Sequence, residues 1–143
     1  MKIVLCKSST VGSWLIRALT WSAWSHVAIL NGEQAIEAVF PAVQLTTLAE
    51  IQAKHHECLI VDLECGYPEE AWAAAMGQVG APYDWRGLIG LPLQRAWATP
   101  GRWWCSELVA WALAQGCSPK FRDEALNRIT PQNIWELPPR ETI

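Results

Sequence analysis

The 143-residue sequence lacks the extended features that mark membrane, fibrous and disordered proteins. It has no internal repeat, no low-complexity stretch and no apolar run approaching the ~18 residues of a membrane span. It also lacks a basic run, and its net charge is −3, so nucleic acid is not an expected partner. The apolar stretch after Met1 is too short for a secretory signal peptide. We therefore predict one globular domain over 1–143, cytoplasmic as encoded and without a transmembrane segment.

The cysteines form no even framework of the kind that stabilises small secreted domains, because there are five of them. The sequence therefore predicts free thiols, including ordinary solvent-side thiols at Cys65 and Cys117. Cys6 and Cys58 fall in apolar strand runs and are expected to be inert. Two histidines and two cysteines lie within 55–65, but their spacing matches no structural zinc pattern. We predict neither a metal nor a cofactor.

Hydrophobic periodicity predicts strands mainly in the first half of the chain and helices mainly in the second. Asn31-Gly32 between two β-rich runs is a strong signal for a two-residue hairpin turn. Because strands and helices occur in separate groups, we expect an α+β fold with an antiparallel sheet packed against helices. The predicted strands are 2–6, 25–30, 34–40 and a buried 58–63. The predicted helices are 14–19 capped by Ser13, a short one after the Thr47–Glu50 capping box, 68–79, 105–115 and a last short one that starts at Thr130-Pro131 and runs through 135. The segment 80–104 is rich in Gly, Pro and Trp and is expected to be irregular and partly helical.

Cys105 is predicted to begin the helix over 105–115, with its thiol on the face that turns toward the core. The unpaired N–H groups and partial positive charge of a helix N-terminus favour a thiolate there. Neither Trp103 nor Trp104 is a capping residue, so the first amides are free to bind an anion. The alternative is a buried cysteine with no chemical role.

His26 and Glu37 are predicted to face each other across the hairpin. If residues 31–32 are the turn, counting back along both strands sets the carboxylate opposite the imidazole, about 4.5–5.5 Å away at Cβ. A carboxylate partner fixes the tautomer of a histidine and raises its basicity. Ala28 and Ala35 share this face, and their small size leaves room for the helix that carries the thiol. The alternative is a histidine with a purely structural hydrogen bond.

Three segments carry a resemblance to a known family. Residues 104–109 (Trp-Cys-Ser-Glu-Leu-Val) and 25–29 (Ser-His-Val-Ala-Ile) resemble the signatures of the NlpC-like, papain-related cysteine hydrolases. The order of histidine before cysteine is similar to that of the circularly permuted branch, the permuted papain-like amidases of bacteria and their phages. Residues 80–85 resemble the Gly-x-Pro-Tyr-x-Trp segment of the family. The resemblance extends over about 15–135 and implies a papain-like fold with the catalytic cysteine at a helix N-terminus.

The resemblance also implies a role for each matching residue. Cys105 would be the nucleophile, His26 the base and Glu37 the orienting group, with Tyr83 near the oxyanion and no cofactor. Glutamate replaces the usual His, Asn or Gln in the orienting place, but a carboxylate can still accept from the imidazole. Trp and Glu flank the Cys-Ser pair where the non-permuted family has Asp and Gly, so its peptidoglycan specificity is not carried over.

The sequence thus predicts a cysteine hydrolase that cleaves an amide through an acyl-thioenzyme, with a peptide-like or acyl substrate. One alternative is an acyltransferase or thioesterase that uses the same triad, with tryptophans lining an acyl channel. Another is a non-catalytic binding module that retains the fold. Most of the ten tryptophans are expected in the core because indole is large and apolar. An association with phage is a further expectation from the resemblance.

Overall fold

The computed structural model describes residues 1–90, 99–117 and 121–139. In these ranges it has the predicted α+β architecture, a five-stranded antiparallel sheet with helices. The strands are β1 (Lys2–Lys7), β2 (His26–Asn31), β3 (Gln34–Ala38), β4 (Val43–Thr47) and β5 (Glu57–Asp62), and the helices are α1 (Val11–Thr20), α2 (Leu48–Lys54), α3 (Pro68–Met76), α4 (Trp85–Gly90), α5 (Cys105–Gly116), a 3₁₀ helix (Asp123–Arg128) and α6 (Pro131–Trp135). The strand order is β4-β3-β2-β1-β5. No helix within the described ranges has the length and apolar character needed to cross a bilayer.

The sheet separates two apolar clusters, because successive side chains of a strand point to opposite faces. The long helix α5 covers the larger cluster, and the short helix α2 covers the smaller one. The interior strand β1 contributes to both and is buried on both faces, as predicted. The larger cluster includes Ile3, Leu5, Val27, Ile29, Ile36, Leu108, Val109 and Leu113, and the smaller one consists of Val4, Cys6, Ala28, Leu30, Ala35 and Ile51.

The predicted hairpin forms, but its turn lies one residue later than predicted. Asn31 remains in the strand and pairs with Gln34, so Gly32 and Glu33 are the two turn residues. Gly32 has a φ of +59°, a conformation that glycine adopts without steric cost.

This change moves the register by two residues and corrects the predicted pairing. Continuing the observed register sets Ala28, not His26, opposite Glu37. Because the side-chain period of a strand is two, His26 and Glu37 still share one face. The helix predicted to cover Ala28 and Ala35 lies on the other face, where larger β-branched residues offer it more apolar area. Instead, Ile51 of α2 packs on the two alanines.

Several predicted boundaries and burial assignments were wrong. Helix α1 begins earlier than expected, since Thr10 caps it and Ser13 uses its hydroxyl to bond Ser25 at 2.7 Å. The strand expected to be buried, β5, lies at the sheet edge, where half of its residues are exposed and none is fully buried. Helix α3 ends at Met76, and the backbone N–H of Gly80 turns back to donate to the Val43 carbonyl of β4, a strand that was not predicted.

The segment 80–104 was expected to be irregular and partly helical, and α4 agrees with that, although residues 91–98 lie outside the described ranges. Tryptophan burial was overestimated. Trp24 and Trp104 are buried, whereas four others are exposed, namely Trp14, Trp21, Trp85 and Trp135.

Cys65 and Cys117 form a disulfide, which contradicts the prediction of ordinary thiols at these positions. Close packing of α3 on α5 brings them together. A Cβ on Gly116 would lie 2.1 Å from the carbonyl oxygen of Tyr67, so only glycine permits this approach. The N–H of Tyr67 in turn donates to the Gly116 carbonyl at 2.9 Å. The two cysteines are 52 residues apart in sequence, and nothing in their local patterns signals the contact.

Candidate active site

Cys105 is the first residue of α5, as predicted, and its side chain is buried. Trp104 occupies the N-cap and makes no side-chain hydrogen bond to the helix, so the first amides have no side-chain cap. The side chain of Ser106 holds the helix start in place. Ser106 donates its hydroxyl hydrogen to the Ile129 carbonyl and accepts from the Trp104 indole N–H at 3.1 Å. These contacts fix the direction of the thiol relative to the sheet.

His26 is the first residue of β2 and makes a short contact with Glu37. Its Nε2 lies 2.7 Å from Oε2 of the carboxylate, and both residues are buried. The other carboxylate oxygen, Oε1, accepts from the side-chain amide of Gln44 at 2.7 Å and lies 4.0 Å from Nζ of Lys54. The carboxylate therefore has a partner on each oxygen. Sequence reasoning missed Gln44 because the strand that carries it was not predicted.

The protonation of this pair follows from its contacts. Burial disfavours the imidazolium, but hydrogen bonding and charge interactions with Cys105 and Glu37 outweigh it and raise the pKa of His26 to about 9. Burial also disfavours the carboxylate, yet the contacts with His26 and Gln44 hold the pKa of Glu37 below its ordinary value. The favoured state at neutral pH is thus a charged imidazolium beside a charged carboxylate.

His55 stacks on His26, an arrangement that the sequence did not indicate. The two rings are 5.4 Å apart at their centroids and inclined by only 8°. Burial first, and then the positive charge of His26, lowers the pKa of His55, so the second imidazole stays neutral beside the charged one. The neutral His55 ring adds polar surface to the site and does not compete with His26 for the Glu37 carboxylate.

Tyr83 lies at the site because its backbone joins two neighbouring segments. Its N–H donates to the Pro41 carbonyl at 2.9 Å, and it forms a parallel bridge with Trp103, two residues before the thiol. Burial, and then the proximity of Cys105 and Asp84, raise the pKa of the Tyr83 phenol. The hydroxyl therefore stays protonated and can act as a hydrogen-bond donor.

These residues line one cavity of about 420 Å³. Cys105, His26, His55 and Tyr83 all contribute to its wall. The remaining described lining side chains are apolar or bear hydroxyl groups, and none is Asp, Glu, Lys or Arg. The cavity therefore suits an uncharged group next to the thiol. The structure brings together all four residues that the resemblance implied, with Glu37 behind His26 and outside the cavity lining.

Two buried carboxyl groups lie near the cysteine without lining the cavity, and the sequence did not single them out as a pair. Asp84 accepts backbone N–H bonds from Gly87 at 3.0 Å and Thr99 at 2.7 Å. Glu107 has a buried Oε2 with no hydrogen-bond partner among the described residues. Burial and the charge of Asp84 raise the pKa of Glu107 to about 7. Asp84 thereby holds the first turn of α4, and Glu107 lies in the first turn of α5.

Comparisons with known proteins give the fold and little more. No protein-family model and no curated protein matches this chain. A similar solved structure is the metalloprotein yiiX of Escherichia coli O157:H7, DUF1105, with a TM-score of 0.59 and 23% identity. The match covers 78% of this chain and 62% of that chain, so this protein spans less than two thirds of its structural neighbour. At this identity the likeness supports the shared fold alone.

Proposed function

We propose that the protein is a cysteine hydrolase of the permuted papain-like type that cleaves an amide bond. One observation carries the proposal. The thiol at the start of α5 and an imidazole held by a buried carboxylate line the same cavity. A thiol, a base, a group that orients the base and donors for an oxyanion are the parts that cysteine-dependent acyl transfer requires.

In the first step Cys105, as a thiolate, attacks the carbonyl carbon of the substrate. Because Nε2 of His26 is engaged by Glu37, Nδ1 is the ring nitrogen left to exchange a proton with the thiol and then with the substrate. The negative charge that develops on the carbonyl oxygen is stabilised by the free amides at the helix start and the Tyr83 hydroxyl. The imidazolium protonates the amine, which leaves, and a thioester to Cys105 remains.

In the second step a water molecule replaces the amine. Neutral His26 takes a proton from the water as it attacks the thioester carbonyl, and the acid is released with the thiolate restored. Glu37 holds the ring in place and stabilises its charged form in both steps, so it is a positioning residue rather than a group that touches substrate.

The cavity also favours a second candidate, an acyltransferase or thioesterase. Apart from the thiol and the two imidazoles, its wall is formed by apolar and hydroxyl-bearing side chains, among them Ile16, Phe40 and Leu88, which suit an acyl chain better than a charged peptide. The chemistry at Cys105 is the same, and only the acyl donor or the acceptor differs. A non-catalytic binding module remains the third candidate, and it predicts no acyl-thioenzyme.

The E. coli neighbour is described as a metalloprotein, and this description does not transfer to the described residues here. Within 1–90, 99–117 and 121–139 no three or more His, Cys, Asp or Glu side chains are arranged to hold a metal ion. The donor set therefore does not fit a metal centre, and no step of the proposed reaction uses one.

The test is capture of the covalent intermediate. The protein is mixed with short peptide anilides and with acyl thioesters, quenched in acid, and mass-analysed for an acyl group on the peptide that contains Cys105. We expect the adduct in the native protein and in Cys58→Ser, and none in Cys105→Ala. Acylation by the anilides would indicate an amidase, and acylation by the thioesters alone would indicate a thioesterase or acyltransferase. Failure of every donor to acylate Cys105 would support the binding module.

A further inference from the structure

Cys6 and Cys58 lie side by side on neighbouring strands, although both were expected to be inert. They are Cα partners in the antiparallel pairing of β1 with β5, and their Sγ atoms are 2.9 Å apart. Directly opposed residues of antiparallel strands have Cα atoms about 4.5–5.5 Å apart, which is within the range of disulfides. A bond between these sulfurs thus requires no movement of the backbone.

The two thiols differ in their exposure to solvent. β5 is an edge strand, and Cys58 on it is partly exposed, whereas Cys6 on the interior strand β1 is fully buried. Burial and the neighbouring Cys58 raise the pKa of the Cys6 thiol. A soluble reagent therefore meets Cys58 first, and Cys6 is positioned to react with whatever forms on it.

The pair also adjoins the candidate active site. Cys6 is the Cα partner of Cys58 on one side and of His26 on the other, so the three residues form one row across β5, β1 and β2. A covalent link in this row would tie the edge strand to the strand beside the imidazole. The site is independent of the proposed hydrolase chemistry, because neither thiol lines the cavity.

We propose that Cys6 and Cys58 form an oxidation site, a dithiol that a small disulfide such as glutathione disulfide converts to an intramolecular disulfide. The Cys58 thiolate attacks one sulfur of the oxidant, the oxidant's S–S bond breaks, and one glutathione leaves as a thiolate. Cys6 then attacks the Cys58 sulfur, its proton passes to solvent, and the second glutathione leaves. Two electrons move from the protein dithiol to the oxidant, which is reduced to two thiols.

The test is oxidation of the full chain with glutathione disulfide, followed by alkylation, digestion without reduction and mass analysis. We expect a peptide pair linked through Cys6 and Cys58 that is two hydrogens lighter than the separate peptides, and that mild dithiothreitol reverses. Cys58→Ser is the matched control, in which Cys6 should stay unmodified because it is buried. Cys65–Cys117 serves as an internal reference for complete recovery of linked peptides.

A second readout follows the fold directly. The link would close a loop of 52 residues, so the oxidised native chain should melt roughly 5–10 °C above the reduced chain, with no such shift in Cys58→Ser. A stable glutathione adduct on Cys58 without the cross-link, or recovery of Cys6 fully alkylated after unfolding, would overturn the proposal.

Discussion

The carboxylate of Glu37 meets the imidazole of His26 diagonally across the hairpin, at 2.7 Å, although the two residues are not directly opposed. A diagonal neighbour on the same face is about 7–8 Å away at Cα, within reach of a glutamate side chain. The pairing therefore survives a two-residue change in register. It would not survive a one-residue change, which would send Glu37 to the opposite face.

The first prediction concerns the charge of this pair. Glu37→Gln keeps a hydrogen-bond acceptor but removes the charge that favours the imidazolium. Because the pKa of His26 is raised to about 9, the imidazolium is present below that pH and is lost as the pH rises through it. We expect Glu37→Gln to move this alkaline limit of kcat/KM to lower pH and to reduce activity at pH 8 by about tenfold to a hundredfold.

The matched control is Glu33→Gln, which alters an exposed glutamate in the turn of the same hairpin. Its pH profile and melting temperature should equal those of the native protein. An alkaline limit that stays in place in Glu37→Gln would mean that the carboxylate does not support the base.

The fold was predictable where local patterns determine it. The Thr47–Glu50 capping box, the start of α5 at Cys105 and Thr130 as the cap of α6 all form as the sequence indicates. Burial was not predictable from local apolar content. β5 has the apolar run of an interior strand, yet only its position in the sheet order makes it an exposed edge.

The candidate site was predictable as a set of residues but not as a geometry. The helix start and the histidine motif indicate Cys105 and His26, and the side-chain period of two places Glu37 on the correct face. Gln44 and His55 could not be found in this way, because their contacts depend on how β4 and α2 fold back over the hairpin. No local sequence pattern indicates that β4 and α2 fold back over the hairpin.

The second prediction concerns the reactivity of the thiol. Cys105 lies at an uncapped helix start beside a charged imidazole, whereas Cys58 has neither feature. At pH 6.5 iodoacetamide should modify Cys105 at least about tenfold faster than Cys58, as measured by quantitative peptide mapping. His26→Ala should remove most of this difference. Equal rates for the two thiols in the native protein would contradict an activated nucleophile.

The third prediction concerns the Cys65–Cys117 disulfide, which holds the C-terminal end of α5. A cross-link spanning 52 residues lowers the entropy of the unfolded chain by an amount worth about 4 kcal/mol. Cys65→Ala with Cys117→Ala should lower the free energy of unfolding by about that amount in urea titrations. Because Cys105 lies at the other end of the helix, kcat at 20 °C should stay near the native value. A loss of activity without a loss of stability would mean that the disulfide acts on the site.

The fourth prediction compares two glycines that are constrained for different reasons. A Cβ on Gly87 would lie 2.1 Å from the ring of Trp104, the residue before Cys105, so Gly87→Ala must displace the N-cap of α5. Gly32→Ala meets open space and suffers only from its φ of +59°. We expect Gly32→Ala to cost about 1 kcal/mol of stability with full activity. Gly87→Ala should cost about 1–3 kcal/mol and also lower kcat. Equal activity in the two variants would mean that Trp104 does not position Cys105.

The last prediction concerns the Tyr83 phenol, which lines the same cavity as the thiol. The raised pKa of Tyr83 keeps its hydroxyl protonated, so it can donate to the oxyanion in the transition state. Removing one such donor typically costs a factor of about 10²–10³ in kcat. Tyr83→Phe should therefore lower kcat by about a hundredfold with little change in KM, and its melting temperature should stay near the native value because the ring is retained. Tyr67→Phe removes a hydroxyl from an exposed tyrosine outside the cavity and should leave kcat unchanged. A native kcat in Tyr83→Phe would assign the oxyanion to the backbone amides at the start of α5 alone.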